Sequence, residues 1–434
     1  MHEKFHYNTL DEVRAKAEEL RVTLPLSEDL PILGEPLNAA GLSFPNRLAI
    51  QPMEGCDGTA DGAPGELTVR RYMRFAAGGA GLIWFEAVAV VPEGRANPRQ
   101  LWLTRQNLDS FKRLIDDIRE VSQRENGFAP PIIMQATHSG RYSKPHGKPE
   151  PMIACHNPVY EQNAPIGDSR IVSDEYLDAL PEKYAESARL AREAGFDGVD
   201  VKACHRYLIS ELFSARTREN SGYGGDFENR IRLYRDAVSA ARSAVSKGMA
   251  VTSRLNVYDG VPFPYGFGVS EAGGLSPELS EPIALVKKLE SLGVRLIDIT
   301  IGNPYVNPHV NRPFDQGPYA PPEHPFEGLG RMYSCVRSIK NACPGMTVVA
   351  SGLSYARQFS PFIAAGLLRD GSADMAGFGR EAFAYPNFSR DILRSVFRAE
   401  ECCVACGKCS ELMRANSTAG CVIRDKEVYL PIYN

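Results

Sequence analysis

Five of the ten cysteines in this 434-residue chain crowd into one short stretch: Cys402, Cys403, Cys406, Cys409 and Cys421. Two residues separate Cys403 from Cys406 and Cys406 from Cys409, and eleven separate Cys409 from Cys421. Three thiolates spaced this tightly let one loop wrap three corners of an iron–sulfur cubane, while the fourth arrives from further along the chain. Four thiolates also suit a closed structural zinc site, although such sites more often show two separated pairs. The spacing favours a [4Fe–4S] cluster on Cys403, Cys406, Cys409 and Cys421, with zinc as the competing occupant and Cys402 as a bystander. The N-terminus, MHEKFHYNTLDEV, lacks the apolar core of a signal peptide. In a cytosolic chain such crowding reads as a metal site rather than a disulfide framework. Cys56, Cys155, Cys204, Cys335 and Cys343 are scattered through the first 350 residues.

A cluster-binding loop needs a scaffold, and the rest of the chain supplies a regular one. Short apolar runs recur at Arg47–Pro52, Gly81–Ala87, Pro131–Thr137, Gly198–Ala203, Ala250–Asn256, Leu296–Gly302, Thr347–Gly352 and Asp374–Gly379. Near-continuous apolar runs of this length are what parallel strands buried on both faces look like. Stretches of helical period lie between them: Leu67–Ala77, Asn107–Arg124, Pro181–Gly195, Glu228–Val245, Pro282–Gly293 and Tyr355–Leu368. Pro181–Gly195 starts with Pro and stops at Gly, as helix termini prefer. Strand–helix alternation repeated eight times predicts an α/β fold, a (β/α)8 TIM barrel, since a doubly wound sheet usually stops at five or six strands. Residues 1–45 then form an N-terminal extension with a short helix at Leu10–Leu20. Residues 46–395 form the barrel, and 396–434 a short iron–sulfur-binding extension.

Composition narrows the function classes. Hydrophobic residues make up 43% and charged residues 24%, an ordinary soluble balance. No window of about 18 consecutive apolar residues is present, so no membrane span is expected. A net charge of −4 without a Lys/Arg stripe leaves no nucleic-acid footprint. The expected location is cytoplasmic.

A barrel places its chemistry on the loops after the C-terminal ends of its strands. Three of these loops are long: Thr137–Arg170, Tyr258–Glu278 and Gly302–Glu327. Long loops in a compact domain usually carry function. Phosphate binds after strands seven and eight, where backbone N–H groups point outward. Gly352 and Gly379 stand at those two ends, and Arg380 follows with a bidentate donor fork. Two glycines alone would equally serve tight turns; Arg380 adds to the phosphate reading without closing that alternative.

The segments NRLAIQPMEG, GGAGLIWFEAVAVVPEGR, QATHSGR, FDGVDVKACHRYL, YGGDFENR, SRLNVYD, ASG and GFGREAFAYP follow one another in this sequence. From Asn46 to Pro386 their order resembles the Old Yellow Enzyme family of FMN-dependent ene-reductases. The cysteine segment resembles the iron–sulfur branch of that family, which includes 2,4-dienoyl-CoA reductase, 2-enoate reductase and trimethylamine dehydrogenase. The resemblance implies bound FMN with its phosphate at Gly352, Gly379 and Arg380. Gln135 and Arg254 would meet the flavin pyrimidine, and Pro52, Met53, Glu54 and Ala87 would line the remaining edge. Cys56 is not at the position where trimethylamine dehydrogenase links its flavin, so FMN is expected to be bound without a covalent link.

The resemblance also implies a substrate site on strand four. Its polar pair and following Tyr correspond here to Lys202, His205 and Tyr207. Lys202 and His205 would donate to the substrate's carbonyl or carboxyl oxygen, and Tyr207 would act as general acid. Lys202 stands where relatives carry His or Tyr, and Arg206 replaces a small residue; the added charge suggests a carboxylate or strongly polarised carbonyl. A Lys paired structurally with Asp200 or Glu54 is the plainer alternative. Glu54 departs from the family's small residue, and a Glu54–Lys202 pair is expected. His138 is a further candidate lining residue, with a structural role in the loop nearly as well supported.

These readings converge on an FMN- and [4Fe–4S]-dependent ene-reductase acting on a small unsaturated carbonyl or carboxyl compound. The alternative is an amine dehydrogenase or demethylase passing electrons outward, which Lys202 and Arg206 disfavour by repelling a cationic amine. A lyase using Lys202 as a Schiff base leaves Gln135, Arg254 and the cysteines without a purpose. A non-catalytic electron-carrying subunit would follow if Arg206 closed the pocket. No GxGxxG follows a strand after the barrel, so electrons are expected from a separate donor protein or reductase.

Overall fold

The apolar runs become strands because no other state hides them on both sides. In the computed structural model, which describes residues 2–245, 248–273 and 275–434, they are β1 (Leu48–Ile50), β2 (Leu82–Ala89), β3 (Ile132–Thr137), β4 (Gly198–Val201), β5 (Ala250–Asn256), β6 (Leu296–Thr300), β7 (Thr347–Ala350) and β8 (Met375–Phe378). Among the described residues these eight close into one parallel barrel, each pairing with the next. β8 returns to β1 with Ala376 opposite Leu48. The expected (β/α)8 barrel is therefore the fold.

Helices pack outside, with some boundaries that differ from expectation. Ser173 caps the helix Asp174–Glu193 by accepting from Tyr176 N, so Pro181 lies inside this helix rather than at its start. The periodic stretch 228–245 is divided at Ile231, and 355–368 begins as a 3-10 turn before the helix Ser360–Arg369. The N-terminal helix Leu10–Glu19 opens with a capping box between Thr9 and Glu12.

The barrel interior changes character along its axis. At its lower end Ala49, Leu82, Trp84, Ile133, Leu296, Val349 and Met375 form an apolar layer, closed by Phe44 from the hairpin Leu37–Ala39/Leu42–Phe44. Above it the side chains turn polar, and Trp84 marks the boundary by donating its indole N–H to Asp200 at 2.8 Å.

The loop after β1 is braced from below by a buried cation. Arg71, on the helix Glu66–Ala77, pairs with both Asp57 and Glu86, and all three are buried. Glu86 also accepts from Gly55 N at 3.0 Å. Burial pushes the Glu86 carboxyl up to about 7 despite Arg71. Removing one partner of a buried pair costs about 3–5 kcal/mol, because the other charge is left uncompensated. Arg71→Leu, which strands two carboxylates, is expected to cost at least that much in urea unfolding. Glu86→Gln, which leaves Arg71 paired with Asp57, is expected to cost clearly less; equal losses would contradict this.

Candidate functional site

The polar layer at the top of the barrel is wired by two carboxylates. Asp200 on β4 accepts from Trp84 Nε1, from Gln135 Nε2 at 2.6 Å and from Arg254 N at 2.8 Å. Asp298 on β6 accepts from Gln51 Nε2 at 3.0 Å and Ser351 Oγ at 2.9 Å. Its other oxygen lies 3.0 Å from Arg254 Nε. Burial raises both carboxyls to about 6, with the donors opposing the shift. Gln135 and Arg254 are thereby fixed on the floor of a cavity of about 970 Å³, its mouth included.

Pro52, Met53, Glu54, Gly352, Gly379 and Arg380 also line this cavity, as do Lys202, His205 and Tyr207. Ala87 does not; its carbonyl is turned to Gln100 Nε2 at 3.4 Å. Gly352 needs its left-handed conformation, φ +89°, and a Cβ there would stand 2.5 Å from Met332 Sδ.

The segment after β4 explains why neighbouring residues part company. His205 and Arg206 both adopt left-handed backbone, φ 63° and 60°, at about 1–2 kcal/mol each for non-glycine residues. The turn aims His205 and Tyr207 into the cavity and Arg206 away from it. Arg206 is buried, donating to Asp259 Oδ2 at 2.7 Å and Ser214 Oγ at 2.6 Å. It does not line the cavity, which departs from the expectation of a substrate contact. His138 is also outside: Nδ1 accepts from Gly140 N, and Nε2 meets Tyr176 OH at 2.8 Å. Burial lowers its pKa to about 4, and its two ring nitrogens join the loop after β3 to Tyr176.

Lys202 and Glu54 do meet, Nζ to Oε1 at 3.7 Å, with both side chains buried. Gln100 Nε2 adds a donor to Glu54 at 3.2 Å. Burial raises the Glu54 pKa while Lys202 lowers it. Lys202 Nζ also sits 3.9 Å from the centre of the Tyr207 ring, a cation–π contact. Burial, with the charges of Arg254, Lys202 and Arg312, lowers the His205 pKa well below 6.5, so its imidazole is neutral near pH 7. Burial and Glu54 raise the Tyr207 pKa, so its hydroxyl keeps its proton.

Three contributors were absent from the sequence reading. Gln51 and Ser351 join the floor through Asp298. Arg312, from the loop after β6, lines the cavity beside Gly352, Gly379 and Arg380 and donates to Ser410 Oγ. Burial and the neighbouring Arg380 lower the Arg312 pKa to about 10, the mark of two cations sharing a recess. Its long loop was legible as functional, but nothing in the spacing singled out this Arg.

The cysteine segment closes the site. Cys409, Ser410, Met413 and Ala419 line the same cavity, and Ala419 N donates to Gly55 O at 2.7 Å. Asp425 ties the segment to Arg70 and Arg74 of the helix Glu66–Ala77. Ala405 N points at Cys403 Sγ (3.4 Å) and Arg424 N at Cys421 Sγ (3.3 Å). Cys402 instead donates to Arg398 O. Among the described residues no group of three or more His, Cys, Asp or Glu is gathered closely enough to hold a metal ion.

With this geometry established, comparison with known proteins decides the family. The sequence profile of the NADH:flavin oxidoreductase / NADH oxidase family, Oxidored_FMN, matches residues 33–314, more than half of the chain. The chain belongs to this family. It is a flavin-dependent oxidoreductase of Old Yellow Enzyme type. An NADPH dehydrogenase of Halalkalibacterium halodurans is 29% identical over 266 residues, 60% of this chain and 70% of that protein. Among solved structures, a 2-naphthoyl-CoA reductase bound to 2-naphthoyl-CoA superposes with TM-score 0.72 at 21% identity, covering 91% of this chain and 57% of that one. Histamine dehydrogenase from Rhizobium sp. 4-9 gives 0.69 at 19%, covering 92% and 53%. The chain thus spans little more than half the length of these two neighbours, and the likeness to them shows the fold. No helix among the described residues is long and apolar enough to cross a membrane.

The recess suits the phosphate of FMN, because Arg380 after β8 and Arg312 from the loop after β6 both line it beside Gly352 and Gly379. A charge-assisted contact is worth about 1.5–3 kcal/mol. Arg312→Met and Arg380→Met are each expected to weaken FMN binding by about 10- to 100-fold. Riboflavin, which lacks the phosphate, should bind each variant as it binds the parent chain. Fluorescence titration of the flavin-free protein reads both, and equal losses for the two ligands would count against a phosphate contact.

Proposed function

We propose that this chain reduces the C=C bond of an α,β-unsaturated carbonyl or carboxyl compound, using FMN and a [4Fe–4S] cluster. The observation that carries the reading is the grouping of Lys202, His205 and Tyr207 on one cavity wall. Lys202 and neutral His205 both offer N–H donors, and Tyr207 beside them retains a transferable proton. Two donors would polarise the activating oxygen of the substrate, and Tyr207 would protonate the carbon that receives no hydride. Bound FMN would supply the hydride, and the cluster would pass single electrons. Glu54 offsets the Lys202 charge and keeps the ammonium over the Tyr207 ring.

Support for the cluster lies in the donor set. Four thiols fall on one segment, two of them face backbone N–H groups, and the connecting loop turns through left-handed Ala405 and Gly407. N–H groups aimed at sulfur suit thiolates that carry charge. Cys403, Cys406, Cys409 and Cys421 would be the ligands.

A second reading, oxidation of an amine, draws on the likeness to histamine dehydrogenase and on Tyr142, Tyr207 and Tyr305 clustered beside Glu54. Arg206 no longer argues against it, because Asp259 neutralises that charge outside the cavity. Lys202 still does, since its ammonium would face a cationic substrate.

An anaerobic absorption spectrum with iron and sulfide assays tests the cofactors. Flavin bands over a broad shoulder, with about four irons and four sulfides per flavin, are expected; a colourless protein containing zinc would remove the redox reading. Tyr207→Phe should slow enone reduction by about 10²- to 10⁴-fold at unchanged flavin content, and undiminished turnover would rule Tyr207 out as the acid. Glu54→Ala should raise the flavin midpoint potential by tens of mV, given that about 30 mV corresponds to 1.4 kcal/mol for a two-electron couple. Dye-coupled titration measures it, and an unmoved potential would refute a role for the Glu54 charge.

A further inference from the structure

Tyr207 is a poorly placed acid if it works alone. Giving up its proton leaves a buried phenolate close to the Glu54 carboxylate, and both burial and that charge oppose it. Its hydroxyl, however, lies 3.0 Å from the hydroxyl of Tyr305. Tyr305 lines two cavities at once: the one described above, and a second, smaller one bounded by Glu54, Tyr142, Lys144 and Arg414. Tyr207 lines only the first. The bonded hydroxyl pair therefore runs from the reacting wall to Tyr305, at the border that the side cavity shares with the main one through Glu54, Tyr305 and Met413.

Tyr305 is held for this position with little freedom. Asn303 Oδ1 accepts from Tyr305 N at 2.9 Å, and Asn303 N donates to Asn307 Oδ1 at 2.6 Å. Asn307 Nδ2 reaches across to Asp259 O at 2.9 Å. The Tyr305 ring stacks on Tyr142, centroids 3.7 Å apart and planes 16° apart, while Asn303 Nδ2 donates to Tyr142 OH at 2.9 Å. These contacts fix the backbone and ring of Tyr305, and its hydroxyl is met by that of Tyr207.

We propose that Tyr305 relays protons to Tyr207 from the side cavity, an inference that rests on the ene-reductase reading. As the substrate carbon takes the Tyr207 proton, a C–H bond forms and the Tyr207 O–H bond breaks. The Tyr207 oxygen takes the Tyr305 proton, and solvent in the side cavity re-protonates Tyr305. One proton leaves solvent per turnover, the electron pair arrives with the hydride, and no lasting charge is left beside Glu54. In this scheme Tyr305 acts through Tyr207, as a positioning residue.

The test compares the holoenzyme with Tyr305→Phe and Tyr207→Phe in single-turnover mixing of dithionite-reduced protein with a panel of enones and enoates. Tyr305→Phe keeps the ring, its stack on Tyr142 and the cavity wall, so a packing role predicts no change. The relay predicts at least a tenfold slower substrate reduction at unchanged flavin spectrum. It further predicts a bowed proton inventory in H₂O/D₂O mixtures for the parent protein, which becomes linear in Tyr305→Phe. Slow Tyr207→Phe with parent-like Tyr305→Phe would overturn the relay and leave the ene-reductase reading standing. Parent-like Tyr207→Phe, or no reduction of any panel member by the parent protein, would overturn the underlying reading and the relay with it.

Discussion

The site depends first on Asp200, a carboxylate buried in the barrel with three donors aimed at it. Trp84 reaches it from the apolar layer below, Gln135 from β3 alongside, and the backbone of Arg254 from β5. A buried charge is tolerated only when hydrogen bonds replace its lost water, and here the replacements come from three different strands. Satisfying Asp200 therefore sets the Gln135 rotamer and holds the backbone of Arg254. Asp298 repeats the device on the opposite side with Gln51, Ser351 and the Arg254 guanidinium. Arg254 is caught between the two, its main chain held by one acid and its side chain by the other.

Above this floor, the cavity wall is set by a few charged side chains. Lys202 against Glu54 is a local arrangement whose net charge stays near zero while its donors still face inward. Arg206, adjacent in sequence, was drawn into the scaffold by Asp259 and contributes rigidity to the turn that presents His205 and Tyr207.

Much of the fold was legible because its signals are repetitive. Eight apolar runs, each hidden on both faces, leave few arrangements other than a closed barrel, and Gly352, Gly379 and Arg380 fall where barrel geometry requires. The failures arose where a single dihedral angle or a distant partner decides. Whether Arg206 or His205 enters the cavity is set by two left-handed residues, which no composition or spacing announces. His138 looked available until Tyr176, 38 positions away, claimed its Nε2. Arg312 and Tyr305 lie in an irregular loop whose shape depends on Asn303 and Asn307, side chains that substitute for regular backbone pairing. Pro181 imitates a helix start, but the Ser173 cap several residues earlier wins.

The roof of the cavity is made of residues between Cys409 and Ala419, and its anchors run from Ala405 to Asp425. Every other wall lies in the barrel. Arg312, whose side chain bonds Ser410, joins the barrel to this roof. Cys409 belongs both to the roof and to the cysteine set, so the segment that gathers the thiols is also the boundary of the recess, and neither can be rearranged without the other.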